Sequence, residues 1–147
     1  MRIFLTAFLF VLSAALAPFA AIASESVLYK DPDCGCCADY AKYLEGEGIP
    51  VRVKETTALA ALRRMAGVPD KLASCHTTTI GAYVVEGHVP VAAIRKLLAE
   101  KPDIRGIALP GMPQGSPGMS GIKEGPFVVY EIGGRDASGQ PKVFLKE

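Results

Sequence analysis

"DPDCGCCADY", residues 31–40, packs three of the chain's four cysteines into four positions and runs straight into what reads as the first turns of a helix. Just before it, Val27-Leu28-Tyr29 reads as a short strand ending at Asp31-Pro32-Asp33. Cys34 and Cys37 are spaced C-x-x-C, which puts Cys34 near a helix N-cap and Cys37 one turn later. Both sulfurs then meet at the helix N-terminus, where unpaired amide N–H groups and the positive end of the dipole favour thiolate. A dithiol at the top of a first strand, entering a first helix, is the thioredoxin-like placement.

Working outward, strand-like and helix-like segments alternate. A helix from about Gly35 to Glu45 carries Cys37, Ala41 and Leu44 on one face and stops near Gly46 and Gly48. Val51-Arg52-Val53 alternates as a half-buried strand. Thr57 is placed to cap a second helix with Leu59, Leu62, Met65 and Ala66 on one face, closed by Gly67 and Pro69. Thr78 to Val85 reads as one strand, and Pro90 opens a third helix that ends before Pro102. Phe127–Ile132 and Val143–Leu145 read as a final hairpin. The order β-α-β-α-β-α-β-β, with an early βαβ unit, predicts one α/β domain with a parallel strand pair, a mixed sheet and a thioredoxin-like fold.

The N-terminus bears on what the thiols can mean. Met1 and Arg2 precede an apolar run from Ile3 to Ala23, broken only by Thr6, Ser13 and Pro18 and ending in Ala21-Ile22-Ala23. That layout predicts a secretory signal peptide over residues 1–23 and a periplasmic domain over 24–147, in preference to a retained membrane anchor. Removing residues 1–23 of 147 leaves 124, with 15 Lys+Arg against 15 Asp+Glu because Arg2 is the one charge lost. This balance gives no electrostatic footprint for nucleic acid, and no basic amphipathic stretch suggests a membrane surface. Outside the cytoplasm a cysteine is oxidised unless something protects it, and a metal is one such protector.

Cys36 is a thiol that a simple dithiol oxidoreductase does not need, and a Cys36–Cys37 bridge between neighbours would be strained. The fourth thiol lies in "LASCHTTTIG", before the third strand. In thioredoxin-like folds the loop there lies against the dithiol and carries a proline; here Cys75 and His76 occupy it. The fold would therefore bring four sulfurs and an imidazole together. Clustered thiolates select Cu(I), Zn(II) or iron–sulfur centres, and thioether sulfur shifts the choice toward copper. Met112 and Met119 sit in "GIALPGMPQGSPGMSG", residues 106–121, an uncharged connection with five Gly and three Pro. A loop this long in a compact domain is usually functional or disordered. Other readings stand beside these: two structural disulfides, Cys34–Cys37 and Cys36–Cys75, suit an even cysteine count. The methionines also suit ordinary gap-filling. His88, in "EGHVP", reads as a turn or cap residue, Asp31 and Asp33 as helix caps, and Tyr40 and Tyr43 as packing against the sheet.

"YKDPDCGCC", "GVPDKLASCHT", "GAYVVEGHVP", "LLAEKPD" and "PGMPQGSPGM" together resemble the CopG-like copper-resistance family, small exported thioredoxin-fold proteins of Gram-negative bacteria. The resemblance covers nearly all of residues 27–121 and gives only a generic strand pattern beyond Gly121. It implies a Cu(I)-thiolate site at Cys34, Cys36, Cys37 and Cys75, extending to His76, Met112 and Met119. It also implies copper handling with a Cu(I)/Cu(II) redox step and a copper-efflux or copper-chaperone partner. The alternative is an oxidoreductase, acting on protein thiols or on copper through the Cys34/Cys37 dithiol.

Overall fold

The protein is described by a computed structural model covering residues 25–147; the segment read as a signal peptide lies outside the described residues. Among the described residues seven strands form one mixed sheet. β1 (Val27–Lys30) leads through α1 (Gly35–Gly46) to β2 (Arg52–Glu55), parallel to β1, as the βαβ reading requires. α2 (Leu59–Met65) and a 3-10 turn (Asp70–Leu72) precede β3 (His76–Ile80), which runs antiparallel to β1, and β4 (Tyr83–Glu86). α3 (Val91–Glu100) returns the chain to β5 (Gly106–Ala108), parallel to β4, and the antiparallel pair β6 (Val128–Arg135) and β7 (Pro141–Lys146) closes the order β2-β1-β3-β4-β5-β6-β7.

Burial follows the strand period of two. Val85 and Ile107 point into a core with Tyr40, Ala41 and Leu44 of α1 and Ala93, Ile94 and Leu97 of α3, while their neighbours Val84 and Ala108 face the opposite side with Val68, Leu72 and Ile132. The sheet is thus covered by α1 and α3 on one face and by the segment after α2 on the other. No helix among the described residues is long and apolar enough to cross a membrane.

Four local expectations need correction. The strand read as half-buried at Val51-Arg52-Val53 runs from Arg52 to Glu55 at the sheet edge and is exposed throughout. The segment read as one strand, Thr78 to Val85, is a hairpin: Gly81 takes φ +59° and reverses the chain between β3 and β4 in two residues. Such two-residue turns need positive φ, and a glycine amid β-branched residues is the signal that was available. Thr57 does not cap α2; Ala58 occupies that position, and its N–H donates to the Thr56 hydroxyl at 3.1 Å. The residues Asp31 and Asp33 do not cap α1 either. The Asp31 carboxylate accepts the Asp33 N–H at 3.0 Å, and the N-cap is Cys34 with no side-chain cap bond.

Candidate metal centre

The site forms where the C-terminal end of β1 meets the N-terminal end of β3. Lys30, last in β1 and 5% exposed, donates from Nζ to the carbonyls of Asp31 (2.9 Å) and Pro32 (3.0 Å) and pairs with Glu55 at 3.2 Å. Holding those carbonyls fixes the turn that delivers Cys34 to the α1 N-cap. Antiparallel pairing sets Lys30 opposite His76, so Cys75 arrives beside the same turn. The sulfurs of Cys34, Cys36, Cys37 and Cys75 all lie within 4.8 Å of one another. Cys34 and Cys37 are joined as a disulfide, Cys36 Sγ lies 3.6 Å from Cys34 Sγ, and Cys36 and Cys75 are free. The second bridge of the two-disulfide reading, Cys36–Cys75, is therefore not formed.

Two buried imidazoles complete the cluster. Cys75 Sγ lies 3.3 Å from His76 Nδ1 and 3.0 Å from His88 Nε2, and these three residues form a second close group of donor atoms. His88, read from sequence as a turn or cap residue, is instead fully buried in the site. Its Nδ1 lies 2.6 Å from the Pro117 carbonyl, which can only accept; Nδ1 therefore carries the proton and Nε2 turns its lone pair to Cys75. A backbone carbonyl fixing the tautomer in this way is how ligating histidines are commonly oriented. His76 Nε2 is buried without a hydrogen-bond partner. Tyr40 covers both rings, at centroid distances of 4.6 Å to His76 and 5.3 Å to His88, and its hydroxyl donates to the Val89 carbonyl at 2.7 Å.

Burial dominates the electrostatics here. Burial first and the Cys36 thiol second push the Cys75 thiol up to about 12, so it is protonated at neutral pH and a metal binding there must displace a proton. Burial, then His88, hold the His76 imidazole down to about 3. Burial also lowers His88, against the pull of the Pro117 carbonyl. Neutral imidazoles, with His76 Nε2 orphaned, and a thiol that gives up its proton to an incoming metal make a donor set suited to a soft ion. Thiolate and imidazole ligands fit copper or zinc and exclude hard, oxygen-seeking cations.

The Gly/Pro connection folds over this cluster. It begins as β5 and is then held to the Cys75 loop by the Ser74 hydroxyl donating to the Gly111 carbonyl and by Gly111 N–H to Ala73 O at 3.2 Å. Farther on, Gly118 at φ +78° rests on α1: a Cβ there would meet Tyr40 N at 2.6 Å and the Cys36 carbonyl at 3.0 Å, so only glycine permits this approach. Met119 follows it, half-buried, whereas Met112 is 55% exposed beside Gly111.

Together these features define a single-domain α/β protein with a buried thiol–imidazole centre roofed by a glycine-rich loop. Comparison with solved structures finds two structures titled as forms of a copper resistance protein CopG. Form 2 aligns at a TM-score of 0.73 and 40% identity, covering 84% of this chain and 97% of that one. Form 1 aligns at 0.72 and 40%, covering 84% and 96%. A family profile described as a protein of unknown function, DUF411, matches residues 72–119, the stretch from the Cys75 loop to Met119. No curated protein matches. At that identity and coverage, the chain belongs to the CopG family.

Proposed function

We propose that this is a periplasmic Cu(I)-binding protein of copper resistance, exported by cleavage near Ala23 and built on a thioredoxin-like fold. The observation that carries the reading is the convergence of four sulfurs within 4.8 Å, with His88 Nε2 aimed at one of them. Reducing the Cys34–Cys37 bridge frees two thiols and gives the soft-ligand set that selects Cu(I). His88, held by Pro117, offers its lone pair beside Cys75, and Tyr40 with the Gly118 approach keeps water from the inner face. Met112 and Met119 would supply thioethers from the roofing loop, and a copper-efflux or chaperone protein would receive the ion. Native mass spectrometry of the protein isolated from copper-grown periplasm tests this. Copper on a chain beginning near Ser24 is expected; zinc alone, or a chain retaining Met1, contradicts it.

A second reading is favoured by one observation, the disulfide between Cys34 at the N-cap and Cys37. In that reading the dithiol cycles as an oxidoreductase, on protein thiols or on copper. Insulin reduction separates the cases. The copper reading expects little activity, whereas turnover comparable to a thioredoxin would make thiol exchange the primary chemistry.

A further inference from the structure

Glu86 is fully buried, and its carboxylate has nothing to do with the sulfur cluster directly. Oε1 accepts from Arg63 Nε at 2.7 Å and from the Ser74 backbone N–H at 2.8 Å, and Oε2 accepts from the Thr77 hydroxyl at 2.6 Å. Arg63 also donates from its guanidinium to the Ser74 carbonyl. The pair therefore grips residue 74 at both ends of its backbone, immediately before Cys75. On the far side the chain is fixed again, because the His76 carbonyl accepts Gly87 N–H at 3.0 Å. Gly87 allows this closeness: a Cβ there would meet the Ser74 hydroxyl at 2.5 Å and the Leu109 carbonyl at 2.6 Å. One strand end thus supplies Glu86, which holds the backbone before Cys75, and His88, which faces its sulfur.

We propose that the Arg63–Glu86 pair is the positioning device of Cys75, setting its sulfur against His88 and the other three thiols; this rests on the copper reading above. A merely structural role would be to pin α2, which buries no residue of its own. An ion pair is a poor choice for that alone, since apolar residues of similar volume hold buried elements at least as well. What an apolar pair cannot do is accept from a residue's backbone N–H and donate to its carbonyl. Arg63 is suited to this because its planar fork serves Glu86 and Ser74 together, which a lysine ammonium does less well.

The experiment compares the wild type, Glu86→Gln and Arg63→Lys, each alone and with Cys75→Ser. Three quantities are read on the reduced protein: Cu(I) affinity by chelator competition, alkylation rate of Cys75 in the metal-free state, and Tm. Both variants should bind Cu(I) about 10- to 100-fold more weakly, as loss of an outer-shell partner commonly does. Both should alkylate Cys75 faster, and in the Cys75→Ser background neither should weaken binding further. Full affinity with unchanged alkylation in folded variants overturns the proposal, as does an equal loss in that background. If the wild type itself binds no Cu(I), the copper reading fails, and the Cys75 alkylation rate alone decides the positioning role. Should either variant not fold, Arg63→Gln, which can still donate to Glu86 but lacks the fork that also reaches Ser74, takes its place; unchanged Cys75 alkylation in that folded variant overturns the proposal.

Discussion

His88 Nε2 lies 3.0 Å from Cys75 Sγ, and its other ring nitrogen is spent on the Pro117 carbonyl. The relationship joins three separate parts of the chain: the loop before β3, the end of β4 and the roofing loop. It makes His88 a side-chain link between the roof and the thiol cluster. Replacing it with alanine should weaken Cu(I) binding by about tenfold or more, comparable to losing an oriented ligand partner. Chelator competition on the reduced protein checks this; an unchanged affinity would return His88 to a packing role.

Gly118 tests the roof itself. At φ +78° an alanine costs about 1–2 kcal/mol from backbone conformation alone. Its Cβ would also strike the Tyr40 backbone, so the loop must lift from α1. Gly118→Ala should therefore lower both thermal stability and Cu(I) affinity. Crystal coordinates showing the loop still seated on Tyr40 would refute the argument.

Tyr40 separates stability from binding. Tyr40→Phe keeps the ring against both imidazoles but leaves the buried Val89 carbonyl without its 2.7 Å partner. A cost of about 1–3 kcal/mol is expected from the unsatisfied acceptor, with Cu(I) affinity essentially unaltered. Denaturant unfolding and competition titration, run together, read the two effects.

The oxidation state should gate the site. With Cys34 and Cys37 joined, two of the four sulfurs cannot act as thiolates. Protein oxidised with diamide should take up far less Cu(I) than reduced protein, and treatment with a phosphine reductant should restore uptake. Equal uptake in both states would mean that Cys34 and Cys37 contribute nothing.

How much of this was legible in the sequence depends on whether an element is local. The C-x-x-C at a helix start, α3 opening at Pro90 and the closing hairpin follow from spacing and breakers, and all appear. The approach of Cys75 to the CGCC turn was expected from the thioredoxin-like placement of the loop before the third strand, and the four sulfurs do converge. His88 was missed because Thr78 to Val85 read as one strand. Once Gly81 is recognised as a turn, Ile80 pairs with Tyr83 and Thr77 with Glu86, and counting two residues farther sets Cys75 opposite His88. The Arg63–Glu86 pair and the Pro117 contact had no such route, because each joins side chains or loops whose separation in sequence carries no period. Asp31 and Asp33 misled for a different reason: Asp31 satisfies its own turn, so the α1 N-cap falls to Cys34.

The most direct test of the central claim removes the two thiols that a plain C-x-x-C dithiol does not require. Reduced wild-type protein and a Cys36→Ser/Cys75→Ser variant are titrated against a Cu(I) chelator of known affinity. Binding through the four-sulfur cluster predicts tight uptake by the wild type and a strong loss in the variant, whose Cys34 and Cys37 can still cycle. A variant that keeps full Cu(I) affinity would contradict the account and leave the dithiol as the functional centre.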